Sequence, residues 1–272
     1  MRRRDFVCGP AAAMVAATIA GASMRGEAQP AANDTVTQLT PTGALRVGVL
    51  MVDYFAVPDP ESGRLKGVIP DLGSELARRA GVRVELVRYD NPAAIMEAFR
   101  TGMLDVTFLG ITADRAQVMR YGPVVIDLQT TYLVPAQSAI REIAEVDRAG
   151  VRILVPQRSA QEAYLKKTIA RATMIAVPVE SPERAVELLA AGEADAFSHV
   201  VPMLAKAQAA LPGSRILPGS YFNVPVAIAS AKERPDAVAA FCAHFVADAK
   251  ASGFVRQAIE RAGAPGLVVS GP

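Results

Sequence analysis

Apolar residues in this chain alternate between short continuous runs and helical stripes. LRVGVL (45–50), VRVELVR (82–88) and LDVTFL (104–109) have the length and β-branched content of strands. Between them, Leu72 and Leu76 mark the inner face of a helix over 71–79, opened by Pro70 and stopped by Gly81. Ile95, Met96 and Phe99 mark a second helix. The alternation restarts near Thr130. TTYLVP and VRILVP (151–156) read as strands, and a helix over 159–172 opens on Ser159 with Glu162 three residues on, the spacing of a capping box. TMIAVPV is a strand, and Ala185, Leu188 and Leu189 face inward from a helix over 183–191. ADAFS (194–198) and VPVAIAS (224–230) are further strands. The last long helix begins at Pro235 and carries Val238, Phe241, Cys242, Phe245 and Val246 as one buried stripe. Cys242 therefore reads as packing, with a reactive thiol the lesser option.

This order of elements predicts an α/β fold. LLAAGEADAF (188–197) echoes AFRTGMLDVTF (98–108): an apolar helix end, a glycine, then an aspartate leading a strand. Two units of one plan predict two lobes around a cleft, each with its own sheet, and the switch of pattern after Pro123 places a crossing segment near 126–131. Residues 29–42 and 265–272, polar and rich in turn formers, read as a flexible tether and a flexible tail. Ligands in such folds sit beyond the carboxyl ends of strands, where helices begin.

The first 28 residues hold Arg2, Arg3 and Arg4, an apolar run from Val7 to Ala22, and a small-residue ending at Ala28. That is the form of a cleaved secretory signal, and Arg3-Arg4 followed by Phe6 looks like a twin-arginine export signal. The expected location is the periplasm. The chain carries 29 Lys and Arg against 27 Asp and Glu. Setting aside the four arginines and two acids of residues 1–28 brings these into balance, so nothing predicts a nucleic-acid partner. With Cys8 in that segment only Cys242 is left, which excludes an internal disulfide. Only His199 and His244 are present, with no Cys/His cluster, so neither a metal nor a cofactor is expected.

The candidate chemistry lies in GMLDVTFLGITADR (102–115). A strand ends in Gly110-Ile111-Thr112, and Arg115 follows at the start of a predicted helix. Backbone N–H groups, a hydroxyl and a guanidinium meeting at one spot suit a small carboxylate. Gly, Thr and Arg also end strands that bind nothing. The segment resembles G-x-x-D-x-x-x-x-x-[ST]-x-T-x-x-R of the bacterial extracellular solute-binding proteins of family 3. The resemblance extends over most of the chain: GRLKGVIPDLGSELARRAGVRVELV (63–87) is similar to the family's segment after the first strand, with Gly63, Gly67, Asp71 and Leu72 in register. VRILVPQRSAQEAYL stands in place of V-x-x-G-[ST]-x-x-E, and VPVAIASAKERPDAVAAFCAHFVADAKASG resembles the closing strand and helices.

The resemblance implies a two-lobe periplasmic-binding-protein fold of type II with two crossing segments: VPVAIAS looks like the family's re-entry into lobe one, which puts the second crossing near 220–225, lobe one at 43–128 and 224–264, and lobe two at 129–223. It also implies a monomeric, non-enzymatic receptor that closes on a small carboxylate ligand, an amino acid or related organic acid, and delivers it to an ABC permease in the inner membrane. By position, Arg115 would pair with the ligand carboxylate, helped by the Gly110 backbone and the Thr112 hydroxyl. Thr107 would lie against the ligand amine, Ser159 would donate from the second lobe, and Asp53, Tyr54 and Phe55 would form a wall. Asn91 sits at the next pocket corner, or is just a helix cap. Three departures matter. Ser198-His199-Val200-Val201 lacks the acid that holds an ammonium in amino-acid receptors, so either Asp53 replaces it or the ligand lacks an α-amine. Arg158 stands where glycine is usual, and Phe108 would narrow the pocket. The competing readings are a dehydratase of cyclohexadienyl acids on the same fold, with His199 as general acid, and a binding subunit for a sensor kinase.

Overall fold

The structure is a computed structural model that describes residues 28–178 and 182–271. The export segment expected at the N-terminus lies outside the described residues except for Ala28. The chain opens with α1 (Ala28–Leu39), β1 (Ala44–Leu50) and a small hairpin, β2 (Val57–Pro58) with β3 (Leu65–Lys66). Next come α2 (Val68–Ala80), β4 (Arg83–Tyr89), α3 (Pro92–Arg100) and β5 (Val106–Gly110). β1 pairs in parallel with β4 on one side and β5 on the other. A long strand, β6 (Met119–Val134), leads to β7 (Arg152–Pro156), α4 (Ala160–Thr168), β8 (Thr173–Val177), α5 (Pro182–Ala190) and β9 (Ala196–Val200). Here β7 takes the central place, parallel to β8 and β9. The chain then runs through α6 (Val201–Ala210), β10 (Arg215–Ile216), β11 (Phe222–Ala231), α7 (Asp236–Ala251), α8 (Phe254–Ala262) and β12 (Leu267–Val269).

The sequence echo is an echo of geometry. Asp105 Oδ2 accepts the Arg46 backbone N–H and Nε at 2.9 and 3.1 Å, while Arg46 Nη2 reaches Oδ1 at 2.8 Å. Asp195 repeats this with Arg152, at 2.8, 3.0 and 3.1 Å. Each aspartate precedes the strand beside the central one and clamps the arginine at the central strand's start. The turn before each needs a left-handed residue, and Gly102 and Gly192 supply it, both at φ 69°. In lobe one the clamp is tighter: Asp105 is fully buried and also takes Arg234 Nη2 at 2.9 Å.

β6 and β11 are the crossings. β11 pairs antiparallel with β5 and with β6, and the far end of β6 pairs with β9. The hydrogen-bonded order β4-β1-β5-β11-β6-β9-β7-β8 is therefore continuous. One sheet per lobe was the expectation, and it is corrected, because the crossing segments are themselves strands that pair with each other. What separates the lobes is their cores. Leu45, Val47, Leu72, Phe108, Phe245 and Val246 pack in the first lobe, with Ile95, Phe99 and Leu104 on the other face of its sheet. Leu154, Leu189, Phe197 and Leu204 form one core of the second lobe, and Tyr132, Ile153, Val155 and Leu165 the other.

Both terminal readings are corrected too. Residues 28–39 of the expected tether form α1, whose last residue, Leu39, is buried in the first core. The expected tail contains β12, which pairs with Ile126–Leu128 of β6, and Ser270 Oγ donates to the Val124 carbonyl at 2.8 Å. Arg115 opens only a three-residue 3-10 turn, not a helix. The helix expected over 159–172 ends at Thr168. Cys242 is buried on the α7 stripe, where burial pushes its thiol up to about 12, so packing is its role.

Candidate functional site

A cavity of about 420 Å³ lies between the lobes at the carboxyl ends of the strands. Lobe one contributes the ends of β1 and β5 and the turn before α3, and lobe two contributes the β7–α4 turn and the end of β9. Leu128 and Val224, from the two crossing strands, reach it as well.

Arg115 is half-buried in this cavity. Its Nη1 donates to the Gly110 carbonyl at 2.7 Å, and its backbone N–H donates to Thr112 Oγ1 at 3.3 Å. The same carbonyl accepts the Tyr121 hydroxyl at 2.9 Å. Gly110 thus orients the guanidinium through its oxygen. Burial pushes the Arg115 pKa down, partly offset by Tyr121, Tyr54 and Asp114. Among the described residues no carboxylate forms an ion pair with this guanidinium. Thr112 lines the cavity with its hydroxyl proton uncommitted. Tyr54 lines it too, edge-on to Phe55 with centroids 4.8 Å apart, and burial pushes its phenol up to about 12.

On the opposite lobe, Ser159 caps α4: its Oγ accepts the Glu162 N–H at 3.0 Å and donates to the Pro156 carbonyl at 2.7 Å. The hydroxyl is therefore spent within the protein. The remaining first-turn N–H groups of Ala160 and Gln161, which lack intrahelical acceptors, adjoin the cavity instead. The capping box is shifted, since Glu162 Oε2 accepts the N–H of Arg158, one residue before the cap. Arg158 and His199 both line the cavity. His199 accepts the Val200 N–H on Nδ1 at 2.8 Å, and burial drops its pKa to about 4, so the ring is neutral at pH 7. Asn91 caps α3, accepting the Ala94 N–H at 2.9 Å, and also lines the cavity.

Three expected site residues lie elsewhere. Thr107 is fully buried and donates to the Gly48 carbonyl at 2.8 Å; it faces the space that the missing side chain of Gly48 leaves. Phe108, one residue on, points to the other side of β5 and packs in the lobe-one core, so it narrows nothing. Asp53 stands exposed outside the cavity, 3.5 Å from Lys206 Nζ of the other lobe. Conversely, three contributors went unforeseen. Tyr121, six residues after Arg115, shares the Gly110 carbonyl that orients it. Gln161 is buried at the cavity wall. Asp90 lines the rim beside Asn91. A glutamine in a helix's first turn and a tyrosine at a strand start carry no distinguishing sequence pattern.

The sequence profile of the Bacterial extracellular solute-binding proteins, family 3, matches residues 45–262. A glutamine-binding protein of Geobacillus stearothermophilus is 23% identical over 209 residues, 75% of this chain and 78% of that protein. Among solved structures, the ancestral amino acid-binding protein AncCDT-1, a precursor of cyclohexadienyl dehydratase, superposes with a TM-score of 0.61. Its identity is 23%, covering 84% of this chain and 98% of that one. An amino acid ABC transporter substrate-binding protein from Streptococcus pneumoniae, bound to L-arginine, gives a TM-score of 0.61 at 19% identity over 87% and 99% of the two chains. These structures share the two-lobe, type II periplasmic-binding fold. With the fold, the interlobe cavity and a family profile spanning most of its length, the chain belongs to the bacterial extracellular solute-binding proteins of family 3.

Proposed function

We propose that this protein is a periplasmic receptor of an ABC transporter that closes its two lobes on a small carboxylate-bearing solute. One observation carries the reading: a half-buried guanidinium, Arg115, is held toward an interlobe cavity by a backbone carbonyl, with no carboxylate among the described residues pairing with it. A buried cation of this kind is stabilised by an anion arriving from outside, bound bidentately. Thr112 and the first-turn N–H groups of α4 supply further donors, so an oxygen-rich ligand is held from both lobes. The transporter and amino-acid relatives support a small-molecule cargo and a permease partner.

We assign no catalytic role. A general acid must carry its proton near the working pH, and His199, with its pKa lowered to about 4, is neutral there. Export by the Arg3-Arg4 signal belongs to the same reading; replacing both by Lys should retain the uncleaved precursor in the cytoplasm, visible by intact mass. Calorimetry of purified receptor against amino acids, keto acids and dicarboxylates, each beside the analogue lacking its carboxylate, tests the proposal. At least one carboxylate should bind and its decarboxylated analogue should not. Equal binding of both members of every pair would reject the carboxylate site.

A further inference from the structure

We infer that the ligand is an organic dianion, a small dicarboxylate without a free ammonium group, and that Arg158 is the residue selecting it. This rests on the receptor reading above and narrows it. Among the described residues Arg158 is the one non-glycine residue in the left-handed region, at φ 55°. A long side chain there strains the backbone, and such residues persist where surroundings or function hold them. Glycine would occupy the position without strain, so what arginine adds is its side chain. Arg158 is exposed where it borders the cavity, and its guanidinium makes no ion pair among the described residues. The nearest acid on its own helix, Glu162, is already engaged by Lys166 at 2.8 Å and by the Arg158 N–H at 2.5 Å.

The charges around the cavity are unbalanced in favour of an anion. Arg115 borders it from lobe one, half-buried, and Arg158 from lobe two, exposed; the one acid among the described lining residues, Asp90, is likewise exposed. At the end of β9 the wall is His199, whose Nδ1 already accepts the Val200 N–H, and Val200, flanked by Leu128 and Val224 of the crossing strands, with no carboxylate among them. Enclosing an ammonium against that wall leaves it unpaired, which is costly. A monoanion pairs with the half-buried Arg115 alone, whereas a longer dianion also reaches the exposed Arg158 at the rim. Its second acidic group also meets donors that have no protein acceptor: the first turn of α4, and the Gln161 side-chain amide, 5% exposed and hydrogen-bonded to no described residue.

The test is calorimetry on the exported protein with succinate, glutarate, butyrate, glutamate, glutamine and arginine, using wild type, Arg158→Gly, Arg158→Lys and Arg115→Ala. Wild type should bind one of the dicarboxylates about 30-fold or more tightly than butyrate, the scale of one close charge pair. Arg158→Gly, whose backbone is relieved, should fold with an unchanged or higher Tm. It should lose that discrimination, weakening the dicarboxylate while moving butyrate by less than about threefold. Arg158→Lys should restore part of it. Butyrate, glutamine or arginine binding as tightly as the dicarboxylates would overturn the inference, as would Arg158→Gly weakening every ligand equally. Carboxylate binding that survives Arg115→Ala undiminished would instead take down the receptor reading beneath it.

Discussion

At the scale of single residues, the site is arranged by what holds each polar group before a ligand arrives. Arg115 keeps its pose through Gly110, and that carbonyl retains the Tyr121 hydroxyl if the guanidinium is removed. Arg115→Ala should therefore leave the melting temperature nearly unchanged. In the proposed receptor Arg115 and the ligand carboxylate form a pair desolvated on closure, and removing one partner of such a pair costs about 3–5 kcal/mol, so the variant should lose more than a hundredfold in affinity by calorimetry. His199 makes a separate prediction about pH. Its folded pKa, about 4, lies below the ordinary histidine value, so the unfolded chain takes up a proton first as pH falls. Stability contributed by the neutral ring is complete above about pH 6.5 and is lost progressively down to about pH 4. Asp59 and Glu75, held near 2 chiefly by hydrogen bonds from Ser62 and Arg78 respectively, lose their contributions only in stronger acid. Thermal melts of wild type should thus fall between pH 6.5 and 5, and His199→Gln should flatten that slope. An identical slope in the variant would show that other groups set it.

At the scale of elements, what the sequence made legible were segments whose own pattern decides their structure. The strands at 45–50 and 151–156, the stripe of α7 and the Ser159 cap follow from periodicity and capping, and they form where expected. The segments that differ are decided by distant partners. α1 and β12 read as tether and tail because their composition is polar or turn-rich, yet Leu39 and Leu267 are buried by contacts with the core and with β6. α6 went unrecognised because its alanine-rich run shows no clear stripe; Pro202 in its first turn was the available start signal. Thr107 and Phe108 were placed by chain position alone, whereas the alternation of β5 turns one toward Gly48 and the other into the core. β12 yields its own test. It joins β6 at Ile126–Leu128, where the chain crosses between lobes, and Leu267 is 5% exposed. Leu267→Ala should cost about 2–4 kcal/mol in denaturant unfolding, as a buried leucine does and a flexible tail would not. A change within about 0.5 kcal/mol, the range of surface substitutions, would mean the strand contributes nothing to the fold.

At the scale of the whole molecule, the question is what drives the lobes together. The crossing strands couple the lobes mechanically: Phe222 of β11 stacks on Tyr164 of α4 at 4.8 Å, Tyr221 stacks on Tyr132 at 4.8 Å, and Tyr221 hydrogen-bonds Ser198 at 2.5 Å. These aromatics join α4 and the end of β9, which border the cavity, to the segment that leads into β11. The direct interlobe ion pair, Asp53 with Lys206, joins two side chains that are 80% and 61% exposed. Pairs of that kind contribute about 0–1 kcal/mol. In the proposed receptor, closure then comes from the ligand, which would touch Arg115 and α4 together only with the lobes near each other. Asp53→Asn should accordingly change affinity less than tenfold. Saturating ligand should shrink the radius of gyration of wild type and of Asp53→Asn alike by small-angle scattering, and should leave Arg115→Ala unmoved. If Asp53→Asn binds normally but no longer contracts, the surface pair and not the ligand is the latch, and the order of cause proposed here is reversed.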